Sequence, residues 1–277
     1  MRLEDKVAVV TGGAAGIGRA LAKRFKAEGA RVVVVVDQDA SGADLVAGEI
    51  GGVGMAADVS VEEDIIWVTT ETERRFGRID LFCSNAGIAC EDPSNAASTS
   101  NDVWDRMWGV NVMAHIYAAR AALPAMLERG EGYFLNTVSA AGVLSHPNSA
   151  PYATTKHAAL GFAESLSIAH GDEGIGVSVI CPQAVRTAML GGLEDRQLGG
   201  GDPQGSPGGP VFDGGVQGLD GVLEPEDVAE STIEALDAER FLVLPHLEVL
   251  DYMRRKSSDY DRWLKGMRRL RARFMTS

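Results

Sequence analysis

The sequence predicts an α/β fold, a doubly wound parallel sheet of about seven strands with helices on both faces. Three observations carry this expectation. Short apolar or β-branched runs alternate with helical stretches along the chain. A glycine-bearing turn joins the first strand to the first helix. The central runs are apolar without alternation, as strands covered on both faces must be. With 277 residues, 45% hydrophobic and 23% charged, the chain has the apolar content for one large core.

The elements follow in order. Residues 6–11 (Lys-Val-Ala-Val-Val-Thr) read as the first strand, and an Ala/Leu-rich helix runs from the glycine turn to Glu28. A second strand is expected at 31–36, a third at 53–57, a helix at 62–76 and a fourth strand at 79–84. A single long helix is predicted over 102–128, then a strand at 132–138, a helix at 152–170 and a strand at 176–180. Residues 191–221, loaded with Gly, Pro and Asp, read as a mobile substrate loop. Glu224-Pro225-Glu226-Asp227 opens a helix to about Ala238, and a last strand is expected at 241–244. Right-handed crossovers then make 1–277 a single domain, with 246–277 as a helical C-terminal extension.

Charge and cysteines narrow the function. A formal charge of -13 repels phosphate backbones, so no nucleic acid partner is expected. Cys83, Cys90 and Cys181 have no metal-ligand spacing, and their odd number fits a reduced, cytoplasmic setting with no metal. The start of the chain lacks the pattern of an export signal, and no apolar run is long enough for a membrane span.

The first turn, Thr11-Gly12-Gly13-Ala14-Ala15-Gly16-Ile17-Gly18, stands where backbone N–H groups and a helix dipole can hold a pyrophosphate. Asp37 lies at the end of the second strand, about 20 residues beyond, where a carboxylate accepts hydrogen bonds from ribose hydroxyls. Asp58-Val59 and Asn85-Ala86-Gly87 lie after the third and fourth strands, at the ligand edge of such a sheet. Tyr152 and Lys156 fall one helical turn apart, so both project from one helix face. Ser139 precedes them at the end of the fifth strand, and Asn111 sits inside an apolar helix, where an amide needs a partner.

In these motifs, taken together and in order over 7–244, the chain resembles the short-chain dehydrogenase/reductase family. The resemblance implies a Rossmann fold and an NAD-dependent enzyme that interconverts a secondary alcohol and a ketone. It implies NAD binding by Gly12, Gly16, Ile17, Gly18, Asp37, Asp58, Val59, Asn85, Ala86 and Gly87, with Val185 and Thr187 reaching the nicotinamide carboxamide. Gln183 departs from the family pattern, which has glycine there. The resemblance also implies a catalytic tetrad. Tyr152 is the general acid/base, and Lys156 lowers its pKa and bonds the nicotinamide ribose. Ser139 bonds the substrate oxygen, and Asn111 holds a water. A homodimer or homotetramer is expected. The walls around Tyr152 (Ala141, Val143, Leu144, His146) suggest an apolar alcohol or ketone substrate, with His146 reading as a solvated loop residue. The basic tail, Arg254 to Arg273, reads as a surface packed across a partner subunit, or as a solvated basic face with Trp263 and Leu264 docked on its own body, with a membrane-surface role as a third alternative. From another class, the same fold also suits a non-catalytic dinucleotide-sensing regulatory or scaffold protein.

Overall fold

In a computed structural model, which describes residues 1–92, 94–190 and 220–275, β2 (Val32–Asp37) shows why the sheet forms. Its five valines stiffen the backbone and fill space on both sides, so the strand is stable only between two layers of helix. Beside it lie β1 (Val7–Thr11), β3 (Val53–Ala56), β4 (Leu81–Ser84), β5 (Gly132–Thr137), β6 (Ile175–Ile180) and β7 (Leu242–Val243). Every pairing is parallel, in the order β3-β2-β1-β4-β5-β6-β7. The order reverses at β1, which opens a crevice at the C-terminal strand ends between β1 and β4.

Helices α1 (Gly16–Ala27) and α2 (Ala40–Ile50) bury Leu21, Phe25, Ala43 and Val46 against one face of the sheet. On the other face, α3 (Glu62–Phe76) contributes Ile65 and Val68. Sequence periodicity did not mark α2, because Ala40-Ser41-Gly42-Ala43 has too little apolar contrast.

The long helix expected at 102–128 is interrupted. It consists of α4 (Asn101–Trp108), a π-helical segment (Gly109–Met113) and α5 (Ala114–Arg129). The wider turn carries Asn111, whose side chain bonds across to another segment instead of to its own helix. A short helix, α6 (Ala140–Val143), replaces the expected loop after β5, and Ser139 caps it by accepting the Ala141 N–H at 3.1 Å. Helix α7 (Ala150–His170) and then α8 (Pro225–Asp237) follow, α8 with the expected box between Glu224 and Asp227. Of the loop expected at 191–221, positions 191–219 lie outside the described residues.

The tail is two helices, α9 (Glu248–Ser258) and α10 (Tyr260–Met275), separated at Asp259 by extended backbone (φ -156°, ψ 91°). It docks on its own body. Val249 is fully buried, Lys256 Nζ donates to the Val143 carbonyl at 2.8 Å, and Arg271 Nε donates to the Pro147 carbonyl at 3.1 Å. Among the described residues, no helix is long and apolar enough to cross a membrane, and no cluster of three or more His, Cys, Asp or Glu could hold a metal.

Candidate active site

At the β1–β4 crevice the glycine turn is bare by necessity. A Cβ on Gly12 would come within 2.8 Å of the Ala86 Cα, and one on Gly18 within 2.0 Å of the Gly12 carbonyl oxygen. Gly12 and Gly16 have φ of +63° and +52°, the left-handed region where glycine is unstrained. Ile17, next to Gly16, packs against the core on the α1 side. The turn is tied to the neighbouring strand: Thr11 Oγ1 accepts the Asn85 and Ala86 N–H groups at 3.0 and 3.2 Å, and Asn85 Nδ2 donates to the Thr11 carbonyl at 3.0 Å. Sequence reading gave Thr11 no role of its own, yet its hydroxyl joins the two motifs.

Asp37 Oδ2 accepts the Ala14 N–H and Oδ1 the Asp39 N–H, both at 3.1 Å. The carboxylate therefore stands over the glycine turn. Burial outweighs these two hydrogen bonds and raises its pKa above the ordinary value. Arg19, the nearby cation, is turned to Glu49 at 3.1 Å. Asp58 is exposed and turned into a local cap, its Oδ1 accepting the Ser60 N–H and hydroxyl at 2.9 and 2.7 Å, while Val59 is buried in the core. Val185 is buried and bridges to Leu223, and a Cβ on Gly16 would lie 3.0 Å from Thr187 Cγ2, so Thr187 overhangs the turn. Gln183, in place of a glycine, donates its N–H to His246 Nδ1 at 3.2 Å and its amide to Asp220 at 2.7 Å, which anchors this segment to the tail.

The residues of the expected tetrad converge. Lys156 Nζ donates to the Thr137 carbonyl at 3.0 Å and lies 5.7 Å from the Tyr152 ring centre. A Cβ on Gly87 would be 3.3 Å from Lys156 Nζ and 3.4 Å from Asn111 Oδ1, so glycine is what lets these groups meet. Asn111 Oδ1 accepts the Ile88 N–H at 2.9 Å, and its Nδ2 donates to the Ile88 carbonyl at 2.9 Å and to Thr155 Oγ1 at 3.2 Å.

The electrostatics depart from the expectation in one respect. Lys156 was expected to hold the Tyr152 phenol down, but burial pushes it up, and the hydrogen bond with Ser139 only partly offsets this. Desolvation of a fully enclosed phenol is the larger effect. The same burial brings the Lys156 ammonium down to about 8. His146 is buried, against the expectation of a solvated loop residue, and stands edge-on to Tyr152 with ring centres 5.9 Å apart. Burial lowers its pKa to about 4, so it is neutral at physiological pH. Ser139, Ala141, Leu144 and His146 line a cavity of about 610 Å³, whereas the Val143 side chain is buried in the core.

The short chain dehydrogenase family model matches residues 6–198. The chain belongs to that family. Over 94% of its length and 90% of the relative's, it is 33% identical to 1-deoxy-11-beta-hydroxypentalenate dehydrogenase of Streptomyces exfoliatus. It superposes with a TM-score of 0.81 on a short chain dehydrogenase/reductase from Burkholderia phymatum in complex with NAD, at 28% identity, covering 94% of this chain and 96% of that one. A 3-ketoacyl-(acyl-carrier-protein) reductase from Brucella melitensis complexed with NADH gives 0.72 at 32% identity, covering 87% and 96%. The enzyme is thus an NAD-dependent oxidoreductase acting on CH–OH groups, interconverting a secondary alcohol and a ketone.

Proposed function

We propose that Tyr152 carries the proton of this reaction, with Ser139, Lys156 and Asn111 as its unit. The observation that supports it is the meeting of Tyr152, Ser139 and Lys156 at the strand ends beside the glycine turn. The residues present fit a dinucleotide. Gly12 and Gly18 let the turn close tightly on Ala86 and on itself, Gly16 stays half-buried at the start of α1, and Asp37 stands beside them to accept ribose hydroxyls. Ile17, Asp58, Val59, Asn85, Ala86 and Gly87 complete the floor, and Val185 and Thr187 the far side. When bound, NAD supplies the acceptor or donor of hydride and, oxidised, a positive charge.

In oxidation Tyr152 takes the proton of the substrate hydroxyl, and in reduction it returns one to the carbonyl oxygen. Ser139 holds that oxygen in line with the phenol. Lys156 stabilises the tyrosinate against the desolvation that otherwise raises its pKa. Asn111 acts through the backbone of Ile88, which it grips from both sides, and keeps Gly87 against Lys156. These intact groups leave nothing to favour a non-catalytic sensor.

Substitution Tyr152→Phe tests the proposal. Turnover should fall at least about 10²-fold with the NAD dissociation constant nearly unchanged. Single-turnover hydride transfer within a few-fold of wild type would remove Tyr152 from the mechanism.

We further propose one domain over 1–277, a cytoplasmic setting, supported by the free thiols of Cys83, Cys90 and Cys181, and a homodimer or homotetramer. Ile66, Trp67 and Trp108 support the last, for they remain 49%, 48% and 41% exposed in the single chain.

A further inference from the structure

The 610 Å³ cavity is of the size that takes a small molecule whole. One side is the catalytic neighbourhood of Ser139 and His146, and the opposite wall is the tail. Along α10 the lining positions 262, 263, 266, 267, 269, 270 and 273 recur at helical spacing, so one face of this helix is turned on the cavity. Trp263, Met267 and Leu270 make that face apolar, while Arg262, Arg269 and Arg273, with Arg255 from α9, are exposed residues of the same lining.

Two acids share the lining, and both are engaged. Asp220 accepts the Tyr252 phenol at 2.8 Å and the Gln183 amide at 2.7 Å. Asp259 accepts the Arg262 backbone N–H at 2.9 Å and so caps α10. Among the described residues no carboxylate lies within ion-pair distance of Arg255, Arg262 or Arg269. Among the described residues the lining thus carries four arginines against two aspartates, on a chain of formal charge -13. Gly266 lies within the same face, where a Cβ would meet nothing within 4 Å. Packing does not call for glycine there, and alanine would favour the helix by about 1 kcal/mol.

We infer that the substrate is an acid: an apolar body that offers its secondary alcohol or ketone to Ser139 and Tyr152, and an anionic group to the guanidinium groups of α9 and α10. A carboxylate and a phosphate ester share the required chemistry, bidentate acceptance from arginine. The inference rests on the proposed role of Tyr152 for the placement of the reacting carbon, and on the lining alone for the anion.

The test pairs each of a set of mono- and bicyclic hydroxy acids with its methyl ester, and adds the corresponding phosphate monoesters. Wild-type enzyme should turn over the acids with kcat/KM at least about tenfold above the esters, and the phosphate arm shows which anion the wall takes. In the double variant Arg262→Gln/Arg269→Gln the acid-over-ester ratio should fall toward one. Lys265→Gln/Arg268→Gln makes the same charge change on α10 outside the lining and should leave the ratio and activity as they were. Equal wild-type turnover of acids and esters would overturn the inference while leaving the chemistry of Tyr152 standing. A second readout is independent of turnover: calorimetric binding of the carboxylates to the Tyr152→Phe enzyme with NAD present. Binding should weaken at least about tenfold when Arg262→Gln/Arg269→Gln is added, and unchanged binding would overturn the inference even if no compound reacts.

Discussion

Two side chains at the site set measurable charges. Asp37 stands over the glycine turn with both oxygens on backbone N–H groups, and Arg19, the cation nearest in the turn, is held by Glu49 and so does not offset a 2′-phosphate. NADP would force its 2′-phosphate against this carboxylate, and kcat/KM should favour NAD by at least about tenfold with one active substrate. Parity of the two cofactors would show that Asp37 does not face the ribose. Lys156 gives a pH dependence of stability. Burial lowers its pKa from 10.5 to about 8. Below pH 8 the ammonium is charged in folded and unfolded chains alike, and the fold bears the whole cost of enclosing it, on the order of 3 kcal/mol. Between pH 8 and 10.5 the unfolded chain binds more protons, so this contribution raises stability as pH rises. Urea midpoints of wild type and Lys156→Met should therefore diverge in slope across that interval, and parallel curves would refute the assignment.

Asn111 shows how an element can exist for one side chain. The π-helical segment Gly109–Met113 costs regular hydrogen bonding, and Asn111 uses the displaced turn to bond both backbone groups of Ile88. Asn111→Ala should cost about 1–3 kcal/mol, because the partly buried Ile88 N–H and C=O lose their partner. It should also weaken turnover, since Gly87 is then no longer held against Lys156. Chemical denaturation reads the first effect, and a loss below about 0.5 kcal/mol would mean that Ile88 finds other partners. The π turn was not legible in the sequence. A five-residue change of pitch leaves the apolar pattern of a long helix intact, and only the buried amide hinted that the segment had a purpose. The strands were legible because valine-rich runs covered on both faces have few alternatives. That Tyr152 and Lys156 share a helix face and that a glycine turn joins β1 to α1 was legible as spacing. The burial of His146 and the raised Tyr152 phenol were not, for both depend on groups brought from distant positions. The break at Asp259 was hidden likewise, whereas docking of the basic tail on its own body was one of several readings the sequence left open, since a helix pattern does not say which body its charged face meets.

For the whole molecule, the exposed Ile66, Trp67 and Trp108 lead to an expected native mass of two or four times the chain's 29.3 kDa by light scattering. Removal of the tail should leave that mass unchanged, because Lys256 and Arg271 fasten it to its own chain. A monomer at micromolar concentration would sink the first expectation, and dissociation on truncation the second. The strand order carries a further consequence, for synthesis. Since β1 pairs with both β2 and β4, its second edge waits for residues made roughly 70 positions later, several seconds at about 5–20 residues per second on the ribosome. During that interval a bare strand of valine and alanine is open to wrong pairing, and a chaperone has reason to hold it. At the other end, β7 and the arginine-bearing helices emerge last. A nascent chain that stalls before them has already joined β1 to β4 and can bring its nucleotide crevice together, while the wall that selects the substrate has not yet been made.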